Sequence, residues 1–168
     1  VHFPRTSLIC IENTHNKCHG FPLDLDYINL VCNIAHENNI KVHMDGARMF
    51  NACAALDLKA DIVLKNIDSV TFCLSKGLAS PIGSVICGSS EFIDEARRIR
   101  KSLGGGMRQT GIIAAPGIIS LNTMIDRLKE DHENARYLAD SLSNLDGIEL
   151  NPDLVKTNII FFNFKHPS

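Results

Sequence analysis

Ser69-Val-Thr-Phe-Cys-Leu-Ser-Lys-Gly-Leu78 begins as an unbroken apolar run and ends in a lysine held between a serine and a glycine. A short apolar run rich in β-branched and aromatic residues, closed by turn-formers, predicts a strand buried on both faces. Two more such runs lie upstream. Ile40–Met44 ends in Asp45-Gly-Ala-Arg48, and Ser7–Glu12 ends in Asn13-Thr-His-Asn-Lys-Cys-His-Gly20. Between them, Asp24 or Asp26 can cap a helix whose apolar residues Ile28, Val31, Cys32 and Ala35 follow helical spacing up to Asn38-Asn39. A further helix is predicted from Ala47 to Leu56. Apolar strands alternating with helices predict an α/β fold, a mostly parallel sheet sandwiched by helices.

Downstream, Gly83–Gly88 reads as another strand, and its short connection to Ser69–Leu74 allows antiparallel pairing. Ser90 can cap a helix with Phe92, Ile93, Ala96 and Ile99 inward and Arg97, Arg98 and Arg100 on a solvated face. Gly104-Gly-Gly-Met-Arg-Gln109 is a flexible, donor-rich loop, and Gly111–Leu121 is apolar all round, predicting a buried helix interrupted by Pro116. Asp126–Leu145 has the pattern of an amphipathic helix with Leu128, Ala135, Leu138 and Leu142 as its buried stripe. Gly147–Leu150 and Asn158–Phe164 look like strands of a second domain. The expected division is residues 1–125 as a partial large domain and 126–168 as a connecting helix with the start of a small C-terminal α+β domain. The chain opens on Val1 and closes on Ser168 just past a strand-like run, so it is expected to be a stretch of a longer protein.

Ligands of open α/β sheets bind beyond the carboxyl ends of the strands, and Glu12-Asn13, Asp45 and Ser75-Lys76 all stand there. An amine at one strand end and a carboxylate at another is the pair that pyridoxal 5'-phosphate (PLP) requires. The amine forms a Schiff base with the aldehyde, and the acid keeps the pyridine nitrogen protonated so that the ring accepts electrons. Lys76 could otherwise be a surface lysine, and Asp45 a helix cap. Arg48 has the planar fork that grips a substrate carboxylate, or it forms a structural salt bridge.

Composition narrows the alternatives. Hydrophobic residues make up 45% and charged residues 21% of the 168, a globular balance. A net charge of −2 supplies no electrostatic footprint for nucleic acid or an anionic membrane, and no apolar stretch is long enough to span one. The six cysteines lack CxxC spacing, and Cys10, Cys32, Cys73 and Cys87 lie in apolar runs, which favours free thiols in a reducing compartment. His15, Cys18 and His19 lack a second ligand pair, so no metal site is expected.

Glu12-Asn-Thr-His-Asn16, His43-Met-Asp-Gly-Ala-Arg48, Phe72-Cys-Leu-Ser-Lys-Gly-Leu78, Pro81-Ile-Gly-Ser-Val85 and Gly104-Gly-Gly-Met-Arg-Gln109 occur in one order with consistent spacing. That series resembles the threonine aldolases, PLP enzymes of the aspartate-aminotransferase-like fold type I, through nearly the whole chain. The resemblance implies retro-aldol cleavage of L-threonine or L-allo-threonine to glycine and an aldehyde. It implies Lys76 as the cofactor lysine, Asp45 as the pyridine partner and Arg48 on the substrate carboxylate; Ser75 either donates its hydroxyl to the phosphate or is a buried turn hydroxyl. It places Lys101 and Arg108, around the triple-glycine loop, near the substrate. For the base that takes the 3-hydroxyl proton it favours His2, with His15 second; His43 is expected to be a packed core histidine. It also implies a homodimer or homotetramer; the expected location is intracellular, in the cytoplasm or mitochondrion, consistent with free thiols. Pro116 and Ala79-Ser80 depart from the pattern, where Ala and Gly-Ala are usual. The alternatives are another fold type I lyase or aminotransferase, or a truncated, non-catalytic product of an aldolase gene.

Overall fold

The structure, a computed structural model, describes residues 2–165. Four strands form the main sheet in the order β1 (Leu8–Glu12), β2 (Lys41–Asp45), β3 (Ser69–Cys73), β4 (Ser84–Gly88). β1, β2 and β3 run parallel, with Glu12 opposite Asp45 and Asp45 opposite Thr71; β4 returns antiparallel to β3. The short crossing from Leu74 to Gly83 dictates that reversal, because a parallel partner needs a crossover of a dozen residues or so.

Helix α1 (Leu25–Glu37) crosses from β1 to β2 and buries Ile28, Cys32 and Ala35, three of the four positions its periodicity predicts; Val31 is half-buried. These residues pack with Val42, Met44, Met49, Cys53, Val63 and Val70 into the principal core, each large side chain contributing about 1.5–3 kcal/mol by leaving water. Helix α2 (Met49–Leu56) follows β2, and the short α3 (Ala60–Val63), which carries no strong sequence signal, supplies Val63. β1 is an edge strand with no fully buried residue, so the buried strand expected at Ser7–Glu12 is half-solvated; Cys10 on it and Cys87 on β4 are exposed.

Two other expectations fail for one reason. Helix α4 (Ser90–Ser102) is capped by Ser89, whose Oγ accepts a hydrogen bond from Phe92 N–H at 3.3 Å. Its apolar stripe does face one side, but that side is an open groove of about 710 Å3 against β4, leaving Phe92 39% and Ile99 50% exposed. Helix α5 (Gly111–Thr123) contains Pro116 and buries only Gly117 and Ser120. Apolar periodicity fixes which face is apolar; only neighbouring chain decides whether it is covered.

Helix α6 (Leu128–Ser143) buries Leu128, Ala135 and Ala139 rather than Leu138, which is half exposed. Leu128 joins Phe72, Leu74 and Leu78 in a second cluster. Antiparallel β5 (Ile148–Glu149) and β6 (Asn163–Phe164) form a separate two-stranded ribbon, shorter than the expected strands. Between them Thr157 is buried and its Oγ donates to Gly20 O at 3.0 Å, tying this last segment to the loop after β1.

Asp68 locks the entry of β3. Burial opposes its ionisation, but bonds from Lys41 Nζ (2.7 Å), Val42 N–H (2.8 Å) and His36 Nε2 (2.8 Å) outweigh that and hold its pKa at about 2. A carboxyl depressed on folding stabilises above its unfolded value, 3.8, and that contribution disappears as pH falls toward 2. Asp68→Asn is expected to cost about 1–2 kcal/mol at neutral pH and to flatten the stability profile between pH 4 and 2. Urea denaturation across that range checks it; an unchanged acid limb removes Asp68 from the acid response.

Candidate active site at the carboxyl ends of the parallel strands

Because β1, β2 and β3 are parallel neighbours, the residues that follow them emerge at one end of the sheet. Those residues are Glu12–His15, Asp45–Arg48 and Ser75–Lys76. Asp45 therefore closes β2, and Lys76 lies in the loop that follows the adjacent strand β3. Asp45 is level with Thr71, and Lys76 lies five residues further along that chain.

The Asp45 turn is tightly built. Gly46 N–H donates to Thr71 O at 2.7 Å, and a Cβ on Gly46 would lie 2.9 Å from both that oxygen and Met49 Cβ. Asp45 Oδ1 accepts from Ala47 N–H at 3.1 Å, so the carboxylate braces its own turn without capping α2. Arg48 occupies the N-cap position of α2 and is half-buried. His43 is half-buried with Nδ1 2.8 Å from Ser69 Oγ, a packed histidine as its strand position predicts.

The Lys76 loop is anchored on both sides. Leu74 and Leu78 are buried, Ser80 N–H donates to Leu74 O (3.0 Å), and Ala79 N–H donates to Lys76 O (2.9 Å). Ala79 has a φ of 56°, a left-handed conformation costing a side-chain-bearing residue roughly 1–2 kcal/mol. That is where the resemblance expects glycine. The backbone is thus fixed, while Ser75 and Lys76 themselves are exposed.

Among the described residues, Asp45, Arg48, Lys76, Lys101 and Arg108 have no ion-pair partner. Four buried side-chain polar atoms of the described residues also lack a hydrogen bond: Asn13 Nδ2, Thr14 Oγ1, His15 Nδ1 and Ser80 Oγ. All four sit in the loops after β1 and β3, at this same end. Buried polar atoms are almost always satisfied in a finished site, so their gathering here marks a surface built to meet polar groups. An unpaired acid closing β2, a guanidinium-bearing residue three positions after it, an unpaired amine in the loop after the adjacent β3 and unsaturated polar atoms in the loops after β1 and β3 form a donor set that fits PLP and an amino-acid carboxylate.

Not every candidate is brought in. His15 stands at this end, its Nε2 3.4 Å from Glu12 Oε2. His2 is exposed and lies six residues before β1, with no hydrogen bond to Asp45, Arg48 or Lys76 among the described residues. Lys101 lies along Gly106, at the end of α4, and Arg108 is exposed in the following loop; no hydrogen bond or ion pair joins either to Asp45, Arg48 or Lys76. Two residues that sequence reading missed touch the site from behind. Asn51 on α2 is buried and bonded through Nδ2 to His132 Nε2 on α6 at 3.1 Å. Partners 81 residues apart leave no local signal.

Comparison with known proteins identifies the family. Residues 1–165 match the model of the beta-eliminating lyase family. The chain is 45% identical over 166 residues to low-specificity L-threonine aldolase 1 of Arabidopsis thaliana, covering 99% of this chain and 46% of that protein. It is 42% identical over 161 residues to the low specificity L-threonine aldolase of Escherichia coli K12, covering 96% of this chain and 46% of the relative. The crystal structure of an Exiguobacterium protein described as an aromatic amino acid beta-eliminating lyase/threonine aldolase superposes with a TM-score of 0.89 at 21% identity, over 97% of this chain and 46% of that one. The sheet and its helices therefore have the PLP fold type I architecture, and the chain spans about half the length of the relatives it matches. With the family model running from the first residue almost to the last, and the strand-end groups arranged as described, the chain belongs to the beta-eliminating lyase family.

Proposed function

We propose that this chain is the part of a PLP-dependent aldolase that carries the cofactor amine, and that the whole protein cleaves L-threonine and L-allo-threonine to glycine and acetaldehyde. The carrying observation is the juxtaposition of Asp45 and Lys76 at the ends of adjacent parallel strands. The names of its relatives supply the substrate class.

Bound PLP supplies the sink for the electron pair released when the Cα–Cβ bond breaks. Lys76 Nζ holds the cofactor covalently, and the Asp45 carboxylate keeps a proton on the pyridine nitrogen. Ser75 Oγ donates to the phosphate. Arg48 grips the substrate carboxylate with two parallel N–H donors and so orients the bond to be broken. Lys101, at the end of α4, and Arg108, in the glycine-rich loop, approach the substrate. A histidine takes the proton from the 3-hydroxyl, since its ordinary pKa lies near neutral pH. His2 and His15 are the two candidates. His15 shares the sheet end with Lys76; the family pattern favours His2. The protein acts on a small amino acid as a homodimer or homotetramer, in the cytoplasm or mitochondrion; no described helix is long and apolar enough to cross a membrane.

Borohydride reduction of the full-length protein loaded with PLP is expected to fix the cofactor on the peptide containing Lys76, and L-threonine is expected to release acetaldehyde. Labelling at another lysine, or a keto acid in place of acetaldehyde, sinks the aldolase reading and favours an aminotransferase. Comparing His2→Phe with His15→Phe assigns the base, because only loss of the true base removes the neutral-pH limb of turnover.

A further inference from the structure

Gly77, the residue after Lys76, is pressed against two helices that sequence reading did not connect with it. A Cβ there would lie 2.9 Å from Leu128 Cδ2 on α6 and 3.1 Å from Asn51 Oδ1 on α2. Asn51 is 2% exposed, and its only side-chain hydrogen bond among the described residues runs from Nδ2 to His132 Nε2 at 3.1 Å. We infer that the Asn51–His132 pair is a positioning device for Lys76: His132 fixes which way the Asn51 amide points, and Asn51 in turn sets where the Gly77 backbone sits.

An amide nitrogen only donates, so Nε2 of His132 must accept and its ring proton must be on Nδ1. Burial lowers the pKa of His132, opposed by nearby Asp131, which favours that neutral ring. In this state Asn51 turns Oδ1 toward the Gly77 Cα, an acceptor facing a C–H group. If the ring nitrogen instead carried a proton, the amide would have to rotate and aim its NH2 at Gly77. A Cβ on Gly77 would meet Oδ1 at 3.1 Å and Nδ2 at 3.6 Å, so the end of the amide nearer Gly77 is set by which atom bonds His132. Lys76 is the adjacent residue, so its amine would move with the loop. His132 and Asn51 touch no reacting atom; they act through the backbone between them and the amine.

This inference rests on the reading that Lys76 carries PLP, and the test separates the two. In the full-length holoenzyme, His132→Leu removes the acceptor, whereas His132→Gln offers Oε1 in its place. His132→Leu is expected to release PLP about tenfold faster, since displaced reacting groups carry penalties of that order or more. It should also shift the pH midpoint of the bound cofactor's absorbance by about half a unit, with His132→Gln restoring both. A purely structural role would lower stability yet leave that midpoint where it was, and that result overturns the inference. Should His132→Leu fail to fold, the 15N shifts of His132 in the unaltered holoenzyme decide the matter. A proton on Nδ1 with bare Nε2 is expected; a proton on Nε2 overturns it. Failure of the underlying reading shows differently, as absent borohydride labelling of Lys76 in the unaltered protein, and it takes this inference down too.

Discussion

Lys76→Ala in the full-length protein is expected to lower threonine cleavage by about 10³-fold or more, the scale on which loss of a covalent catalytic group is felt. The fold should hardly notice. Lys76 is exposed, and its ammonium has no ion-pair partner among the described residues. The loop geometry comes from Leu74, Leu78 and the bonds to Leu74 O and Lys76 O, all of which alanine keeps. Surface substitutions of this kind stay within about 0.5 kcal/mol. Lys76→Arg sharpens the test, because it preserves the positive charge but offers no amine able to join the cofactor. Equal loss in both variants assigns the role to the amine; arginine retaining turnover would reduce Lys76 to an electrostatic contact.

Gly46→Ala carries the second large effect, this time on stability and cofactor retention together. Its φ is not the reason, since the backbone there is not left-handed. Space is the reason. The new Cβ would stand 2.9 Å from Thr71 O and Met49 Cβ and 3.1 Å from Val70 Cγ2. A backbone carbonyl and a Cβ cannot swing aside as the end of a flexible side chain does. Either β3 retreats and stretches the 2.7 Å bond from Gly46 N–H to Thr71 O, or the turn lifts and carries Asp45 and Arg48 with it. Overpacking of this sort costs about 1–3 kcal/mol, so the urea midpoint should fall and PLP affinity should weaken in the same variant. An unshifted midpoint with normal PLP binding would show that the turn is looser than its contacts indicate.

The sequence was legible wherever a local rule governed the outcome. Apolar runs marked β2 and β3, helical spacing marked α1, and a short connection made β4 antiparallel. The placement of Asp45, Arg48 and Lys76 at or just past strand ends was readable because each stands at or shortly after the close of an apolar run. Burial was less legible. The stripe on α4 and the all-round apolar α5 read as core, yet Ile112, Ile118 and Ile119 are more than half exposed. A pattern along the chain cannot say what lies opposite it.

What the residues determined unaided was therefore the strand–helix alternation and which polar residues follow three of the strands. Tertiary structure decided which of those ends are neighbours, gathering the unsatisfied polar atoms of the loops after β1 and β3 at one edge. It also decided what stands behind the lysine, seating Gly77 on Asn51 and Leu128 and bonding Asn51 to His132. The physical reason is range. Torsional preference and hydrophobic period act over a few residues, whereas a contact across 81 residues exists only once the intervening elements have packed.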